Sequence, residues 1–525
     1  MRSNFRVHML ALPAFFTLLL TIASGGSAAQ QAAPPAAPSP AEDAAVPIPP
    51  GRVEQAVAQL DGLADGIMRH SGIPGMSVAV VHGGKVVYAK GFGVRRAGDA
   101  ARVDADTVFQ LASLSKPIAA TVVARQVGAG AIKWSMPVSA RLPWFALADP
   151  YVSTHVTVAD LFSHRSGLPE HAGDLLEDIG FGRQEVLERL RLLPLKPFRA
   201  SYAYTNFGLT AAAEAVAVAS GRDWARLSEE AIYRPLGMAS TSSRFADYKA
   251  RSNRAVTHVK RQGAWVPGEE RDPDAQSPAG GVSSSANDMA KWLAYLLAGG
   301  KGGAGQPTET AALLEAMSPH MVSRAPGNFS ERASYYGYGF NVGVSPSGRV
   351  TASHSGAFAL GAATAFTVIP SADVGIVVLT NASPIGMPEA LAAQFTDLVQ
   401  FGRLQRDWVP LFEGYLAPLL APIGSLVGVP RPTHPAPPRP NAAYAGTYHN
   451  AYYGSMQVVD KGGALELRMG PRPVTFRLTH WDGDVFTFMP TGENAPPGTI
   501  SKASFSDGRV VLEYFDGEGL GTFLR

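Results

Sequence analysis

The chain has 525 residues, carries 45 Lys and Arg against 43 Asp and Glu for a net charge of +2, and contains no cysteine. That length exceeds the roughly 250 to 300 residues at which one core stops growing, so at least two folded units are expected. The near balance of charge, with no dense Lys/Arg run beside stacking aromatics, argues against nucleic acid as a partner, and the missing cysteines exclude disulfides, thiolate nucleophiles and cysteine-held metal.

Arg2 and Arg6 precede an apolar run over residues 9–22, and small residues follow up to Ala29, the layout of a secretory signal peptide over residues 1–29. The run is shorter than the roughly 20 residues a spanning helix needs. The other apolar stretch, VPLFEGYLAPLLAPIGSLVGVP from Val409, carries Glu413, Pro418 and Pro422, which lipid tolerates poorly. A periplasmic or secreted protein without a membrane span after signal removal is expected. Residues 30–51 are rich in Pro and Ala and read as a flexible tether.

From residue 52, Val53, Val57, Leu60, Ala64 and Ile67 share one helical face that Gly72 can close. GMSVAVVHGGKVVYAKGFGV then gives two β-rich runs around His82-Gly83-Gly84, a hairpin. A second hairpin, residues 362–370 and 374–382, lies far downstream, and the stretch between the two, roughly 105–330, is mostly helical. Strands at both ends of a helical insertion predict an α+β fold, one antiparallel sheet assembled from distant pieces, with the helix from Pro388 covering it. The prolines of VPRPTHPAPPRP, residues 429–440, mark a second linker. Beyond it, about seven or eight evenly spaced short runs predict a small all-β barrel or sandwich. The expected units are an α+β domain over 52–405, a connecting segment over 406–440 and a barrel over 441–525.

QLASLSKPIAA, residues 110–120, places Ser113 three residues before Lys116. A serine hydroxyl needs a base, and a lysine serves only when burial or nearby cations lower its pKa. At i and i+3 the two side chains share a helix face, and Pro117 is tolerated only if the helix starts close to Ser113. Of the eleven lysines, only Lys116 has a serine three residues before it. Tyr204 and Asn206 form Y-x-N before an amphipathic helix, where a phenol could assist the nucleophile and an amide could bind a substrate carbonyl; a loop-edge tyrosine and a capping asparagine are the alternative. His354, Ser355 and Gly356 lead into strand 362–370; the imidazole can donate to a carboxylate or leaving group, and Gly356 lets a substrate backbone approach. His70-Ser71-Gly72 repeats H-S-G at a helix end, where Gly72 is a C-cap, and Ser285 with Asp288 reads as a helix start.

The ordered set S-x-x-K, Y-x-N, H-x-G resembles the serine β-lactamase and penicillin-binding protein superfamily, in its class C-like branch. PGMSVAVVHGGKVVYAKGFG, LFSHRSGLPEH and PAGGVSSSANDMAKWL are similar to landmarks of that branch, and the segment from about 440 resembles a lipocalin-like barrel found behind such domains. The resemblance implies Ser113 as acylated nucleophile, Lys116 as base, Tyr204 in proton transfer and Asn206, His354, Ser355 and Gly356 at the substrate. It also implies an oxyanion hole from the N–H groups of Ser113 and Ala357, and neither metal nor cofactor. His354 stands where efficient class C β-lactamases carry lysine, which ranks a peptidase or esterase above a β-lactamase. Partial protonation of a histidine near its ordinary pKa of about 6.5 leaves carboxylate recognition open.

The implied partner is a small molecule or short peptide, with D-amino-acid peptides or small esters foremost and the oligomeric state unassigned. The rivals are a class C type β-lactamase and a non-turnover binder of cell-wall fragments. In the barrel, Tyr444, Tyr448, Tyr452, Tyr453, Trp481 and Phe486 read as core rather than as the lining of a ligand cavity.

Overall fold

The computed structural model describes residues 44–301 and 307–525. The signal-like segment 1–29 and most of the tether lie outside the described residues. The tether's last residues are pinned, not free: the Val46 N–H donates to the Ser347 carbonyl at 2.8 Å, and Arg349 Nη2 donates to the Val46 carbonyl at 3.0 Å.

Glycines at 83 and 84 take φ of 60° and 69°, the left-handed pair that a two-residue hairpin turn requires, and so join strand Gly75–His82 to strand Lys85–Gly93. Strand Gly75–His82 then pairs antiparallel with Val374–Thr380, with Met76 opposite Thr380 and His82 opposite Val374. The eight-stranded sheet continues through Ala362–Ile369, Val350–Phe358, Asn341–Val344, Ser334–Tyr336 and Met321–Arg324. One antiparallel sheet built from distant pieces is therefore what the chain forms.

Strand alternation sends Val78, Val80, Ile376 and Val378 to one face and Ala79, Val81, Val377 and Leu379 to the other. The first face is covered by Arg52–Val57, Leu60–Ser71 and Met387–Phe401. The N-terminal helix expected as one piece is two, interrupted at Ala58 and Gln59, although Val53, Leu60, Ala64 and Ile67 are buried as the periodicity requires. Gly72 closes it at φ 65°. On the second face lie helix Ala286–Leu297 and the helical region, and there the Ser285 side chain accepts the Asp288 N–H as an N-cap.

The C-terminal barrel has nine strands rather than seven or eight. VTFRLTH, expected as one strand, bends at Leu478 into Val474–Arg477 and Thr479–Asp482, which form the two edges of the sheet. The bend joins edge to edge and nearly closes the barrel. Tyr444, Tyr448, Tyr452, Tyr453 and Phe486 are buried, and Tyr444 meets Phe486 and Phe505 at ring separations of 4.9 Å, so these aromatics are core; Trp481 is half-buried. Among the described residues no helix is long and apolar enough to cross a membrane.

Candidate active site

Residues 109–124 are buried except Ser113, which alone reaches the surface. Ser113 sits in the single turn Ala112–Leu114, directly ahead of helix Ser115–Gly128, and Pro117 falls in that helix's first turn where no N–H is missed. Strand Phe109–Gln110 pairs with Ser283–Ser284, and the Leu111 N–H donates to the Val282 carbonyl at 2.9 Å. Ala112, next to Ser113, is held at φ 49°, a left-handed strain that a non-glycine residue keeps only when its surroundings impose it.

Lys116 is fully buried and its Nζ donates in three directions: to Ser113 Oγ at 3.2 Å, Asn206 Oδ1 at 2.6 Å and the Ala279 carbonyl at 3.1 Å. Burial, aided by the Arg271 charge and opposed by Asp174, brings the ammonium down to about 7. In the neutral amine, the Asn206 and Ala279 oxygens, which only accept, engage both hydrogens, and the lone pair faces Ser113 Oγ.

Asn206 opens helix Asn206–Ser220 but does not cap it; the N-cap is Thr205. Its amide is oriented by Asp174, whose Oδ2 accepts Asn206 Nδ2 at 2.8 Å and His171 Nδ1 at 2.9 Å. Tyr204 is held by main-chain bonds on either side, Ala203 N–H to the His164 carbonyl at 3.0 Å and His171 N–H to the Tyr204 carbonyl at 2.8 Å. Its phenol contacts Ser113, its ring lies 4.5 Å from Lys116 Nζ, and burial pushes its pKa above the ordinary phenol range. Tyr204 therefore keeps its proton at neutral pH, while Lys116 is shared between its protonated and neutral forms.

His354 lies within strand Val350–Phe358 itself rather than ahead of a strand. Its Nδ1 is 2.6 Å from the Ser355 carbonyl, which only accepts, so Nδ1 carries the proton and Nε2 accepts the Tyr336 hydroxyl at 2.9 Å. Burial, with the nearby Lys116 charge, depresses His354 to about 3, so the expected partial protonation near neutral pH does not occur. Ser355, on the opposite face of the strand, lies toward Glu389 of the covering helix rather than facing Ser113.

Gly356 also has a different reason from the one expected. A Cβ there would lie 2.2 Å from the Leu111 carbonyl and 2.3 Å from Thr364 Oγ1, so the glycine admits the Ser113 turn against the strand. Asn341–Val344 pairs with residues 350–353 only, so that among the described residues the strand has no neighbour on that side from His354 to Phe358. Gly356→Ala is expected to displace the turn and lower the Ser113 acylation rate by about 100-fold. Gly343→Ala, where a Cβ meets nothing within 4 Å, is the control expected to leave the rate unchanged.

Four residues escaped the sequence reading: Asp174, Tyr336, His164 and His171. His164 Nδ1 accepts the Thr205 N–H at 3.2 Å, and its ring packs 4.5 Å from Tyr204 and 4.9 Å from Tyr336. Burial, with the Lys116 charge, keeps it neutral. His164 and His171 stand at φ 55° and 58°, so left-handed residues cluster around the same centre as Ala112. Both histidines lie in LFSHRSGLPEH, and that stretch was the available signal.

The beta-lactamase family profile matches residues 60–401. The chain belongs to the beta-lactamase family. A domain of unknown function, DUF3471, matches residues 430–511. Unguisins hydrolase ungD of Aspergillus violaceofuscus is 27% identical over 422 residues, 74% of each chain. D-alanyl-D-alanine-carboxypeptidase/endopeptidase AmpH of Escherichia coli K12 is 31% identical over 243 residues, which span 45% of this chain and 61% of AmpH. The octameric penicillin-binding protein homologue from Pyrococcus abyssi aligns at a TM-score of 0.58 and 20% identity over 89% of this chain and all of that one, and so shares the fold. As a beta-lactamase family member with hydrolase relatives, the chain is a serine hydrolase.

Proposed function

We propose that this hydrolase works through an acyl-enzyme on Ser113 and acts on small peptides, D-amino-acid peptides foremost, or on small esters. One observation carries the reading: two obligate acceptors hold the hydrogens of a buried lysine poised near neutral pH, which aims its lone pair at the only surface-reaching residue of 109–124. Ser113 Oγ gives its proton to Lys116 Nζ and bonds the substrate carbonyl carbon. The N–H groups of Ser113 and Ala357 stabilise the resulting oxyanion. The bond to the leaving nitrogen or oxygen then breaks as Tyr204 passes it a proton, and Tyr204 is reprotonated from Lys116. Water then hydrolyses the ester: its proton goes to Lys116 Nζ, its oxygen bonds the acyl carbon, and the bond to Ser113 Oγ breaks as Lys116 returns that proton to Oγ. Asn206 binds the substrate amide. The Arg2/Arg6 pair and the apolar run 9–22 support export, so that periplasm or medium is the place of action.

A neutral His354 whose two nitrogens are already engaged offers no fixed cation to a drug carboxylate, which favours a peptidase or esterase over a β-lactamase. Intact mass of the full chain with benzylpenicillin, beside Ser113→Ala, tests the reading. A persistent adduct on the unmutated protein alone is expected. Drug loss without an adduct, absent from the variant, makes it a β-lactamase. Adduct or turnover that survives Ser113→Ala sinks the Ser113 assignment, and binding of cell-wall fragments with no hydrolysis in either protein makes it a binder.

A further inference from the structure

The barrel loop between strands Val485–Phe488 and Ser501–Ser506 reaches the hydrolase sheet where strand Val350–Phe358 ends. Glu493 Oε1 accepts the Ala359 N–H at 2.7 Å, Oε2 accepts the Leu360 N–H at 3.2 Å, and Arg271 Nη1 stands 3.5 Å from Oε1. Two convergent main-chain N–H groups beside a guanidinium are a carboxylate receptor. Here the chain fills that receptor itself.

The loop is held in place by Asp178, which accepts the main-chain N–H groups of Glu493 at 3.3 Å and Asn494 at 3.1 Å and the Asn494 side-chain amide at 2.9 Å. The receptor adjoins the reaction centre through two short routes. Ala359 and Leu360 directly follow Phe358, which packs in one buried cluster with Ala112, the neighbour of Ser113. Arg271 stands 4.6 Å over the Phe358 ring, and its carbonyl accepts Gln110 Nε2 at 2.7 Å. Arg271 also keeps Glu177 on its other nitrogen at 2.6 Å, so the guanidinium stays anchored when Glu493 is removed.

We propose that Glu493 is a specificity-determining residue: its side-chain carboxyl group occupies the subsite that would hold a substrate's free carboxylate beside the scissile bond. The enzyme accordingly prefers substrates ending in an amide or ester over those ending in a carboxylate, since Glu493 already holds the same three donors. This rests on the acyl-transfer reading above, and it narrows that reading away from carboxypeptidase action.

The test compares N-acetyl-D-alanyl-D-alanine with its C-terminal amide on the full chain, on Glu493→Ala and on Glu493→Gln. The ratio of kcat/KM for the acid to that for the amide is expected to rise about tenfold or more in Glu493→Ala. A smaller rise is expected in Glu493→Gln, which keeps an acceptor oxygen for the N–H groups. Turnover with an unchanged ratio in both variants overturns the proposal. Absence of turnover in the unmutated chain counts against the acyl-transfer reading instead, so binding is measured in parallel. Calorimetric titration of N-acetyl-D-alanyl-D-alanine into Ser113→Ala and into Ser113→Ala/Glu493→Ala is expected to show about tenfold tighter binding to the double variant. Equal affinity overturns the proposal whatever the turnover. If the alanine variant does not fold, as read by circular dichroism, the glutamine variant carries both comparisons.

Discussion

Replacing Lys116 with arginine is expected to lower the acylation rate of Ser113 by about a thousandfold and to erase that rate's dependence on pH between about 6 and 8. The unmutated rate should climb through about 7, because burial holds the Lys116 ammonium there and only the neutral amine can take the Ser113 proton. The fraction of neutral lysine grows with pH, so the limb ascends. No descending limb should follow below pH ~10, since Tyr204 is held above the ordinary phenol range and stays a donor. His354, depressed to about 3, contributes no limb in this window. Arginine keeps a positive charge near Asn206 and the Ala279 carbonyl but has no lone pair to offer at any accessible pH. Stopped-flow acylation with a chromogenic ester between pH 5 and 9 decides it. A variant that keeps a tenth of the rate, or the same pH midpoint, would remove Lys116 from the base role.

The second large effect concerns Arg271. It lies among Glu177, Asp178 and Glu493, all largely but not fully buried, donates to Glu177 at 2.6 Å and bridges the hydrolase helix Asp174–Asp178 to the barrel loop. Burial raises all three acids, Glu177 and Glu493 to about 7. Arg271→Ala leaves these carboxyls without their cation and is expected to cost about 3–5 kcal/mol of unfolding free energy. The direction with pH follows from the raised values. The folded chain keeps protons on Glu177 and Glu493 that the unfolded chain releases from about 4.3 upward, so the cluster loses stability as pH rises from there through about 7. Without Arg271 this loss steepens, and the variant's deficit should be greater at pH 8 than at pH 5. Urea unfolding of the full chain at both values measures it, and an equal deficit at the two would contradict the account.

Sequence pattern carried far for the elements whose signal is local. Ser113, Lys116, Tyr204, Asn206 and His354 each sit in a short motif, and the structure brings all five into one cluster because each motif marks the end or edge of an element that must be built there. The hairpins were legible from Gly83-Gly84 and from β-branched runs. What escaped depends on contacts between residues with no shared pattern. Asp174 orients Asn206 from a separate helix, and Tyr336 engages His354 from two strands away in the sheet. Gly356 was given to the substrate, but the Leu111 carbonyl fills that space, a fact only the packed turn reveals. The protonation of His354 was misjudged for the same reason: burial by distant residues sets it. In the barrel, the bend at Leu478 leaves the β pattern of VTFRLTH unbroken, so one run concealed two strands. Arg271 and Glu493 are 222 positions apart, and their meeting has no sequence signature at all.

The pairing of strand Gly75–His82 with Val374–Thr380 also shapes how the chain acquires its structure. During synthesis the first hairpin emerges early, while the strand that completes its inner edge is among the last parts of the sheet to appear. Closing so long a loop before any contact rewards it makes folding slow, and the waiting edge, rich in valine, is a template for pairing with other chains. The helices that cover this edge's two faces, Ala286–Leu297 and Met387–Phe401, also come late. The nascent molecule thus keeps its most apolar edge open longest, and a fragment that stops short of Val374 keeps it open permanently.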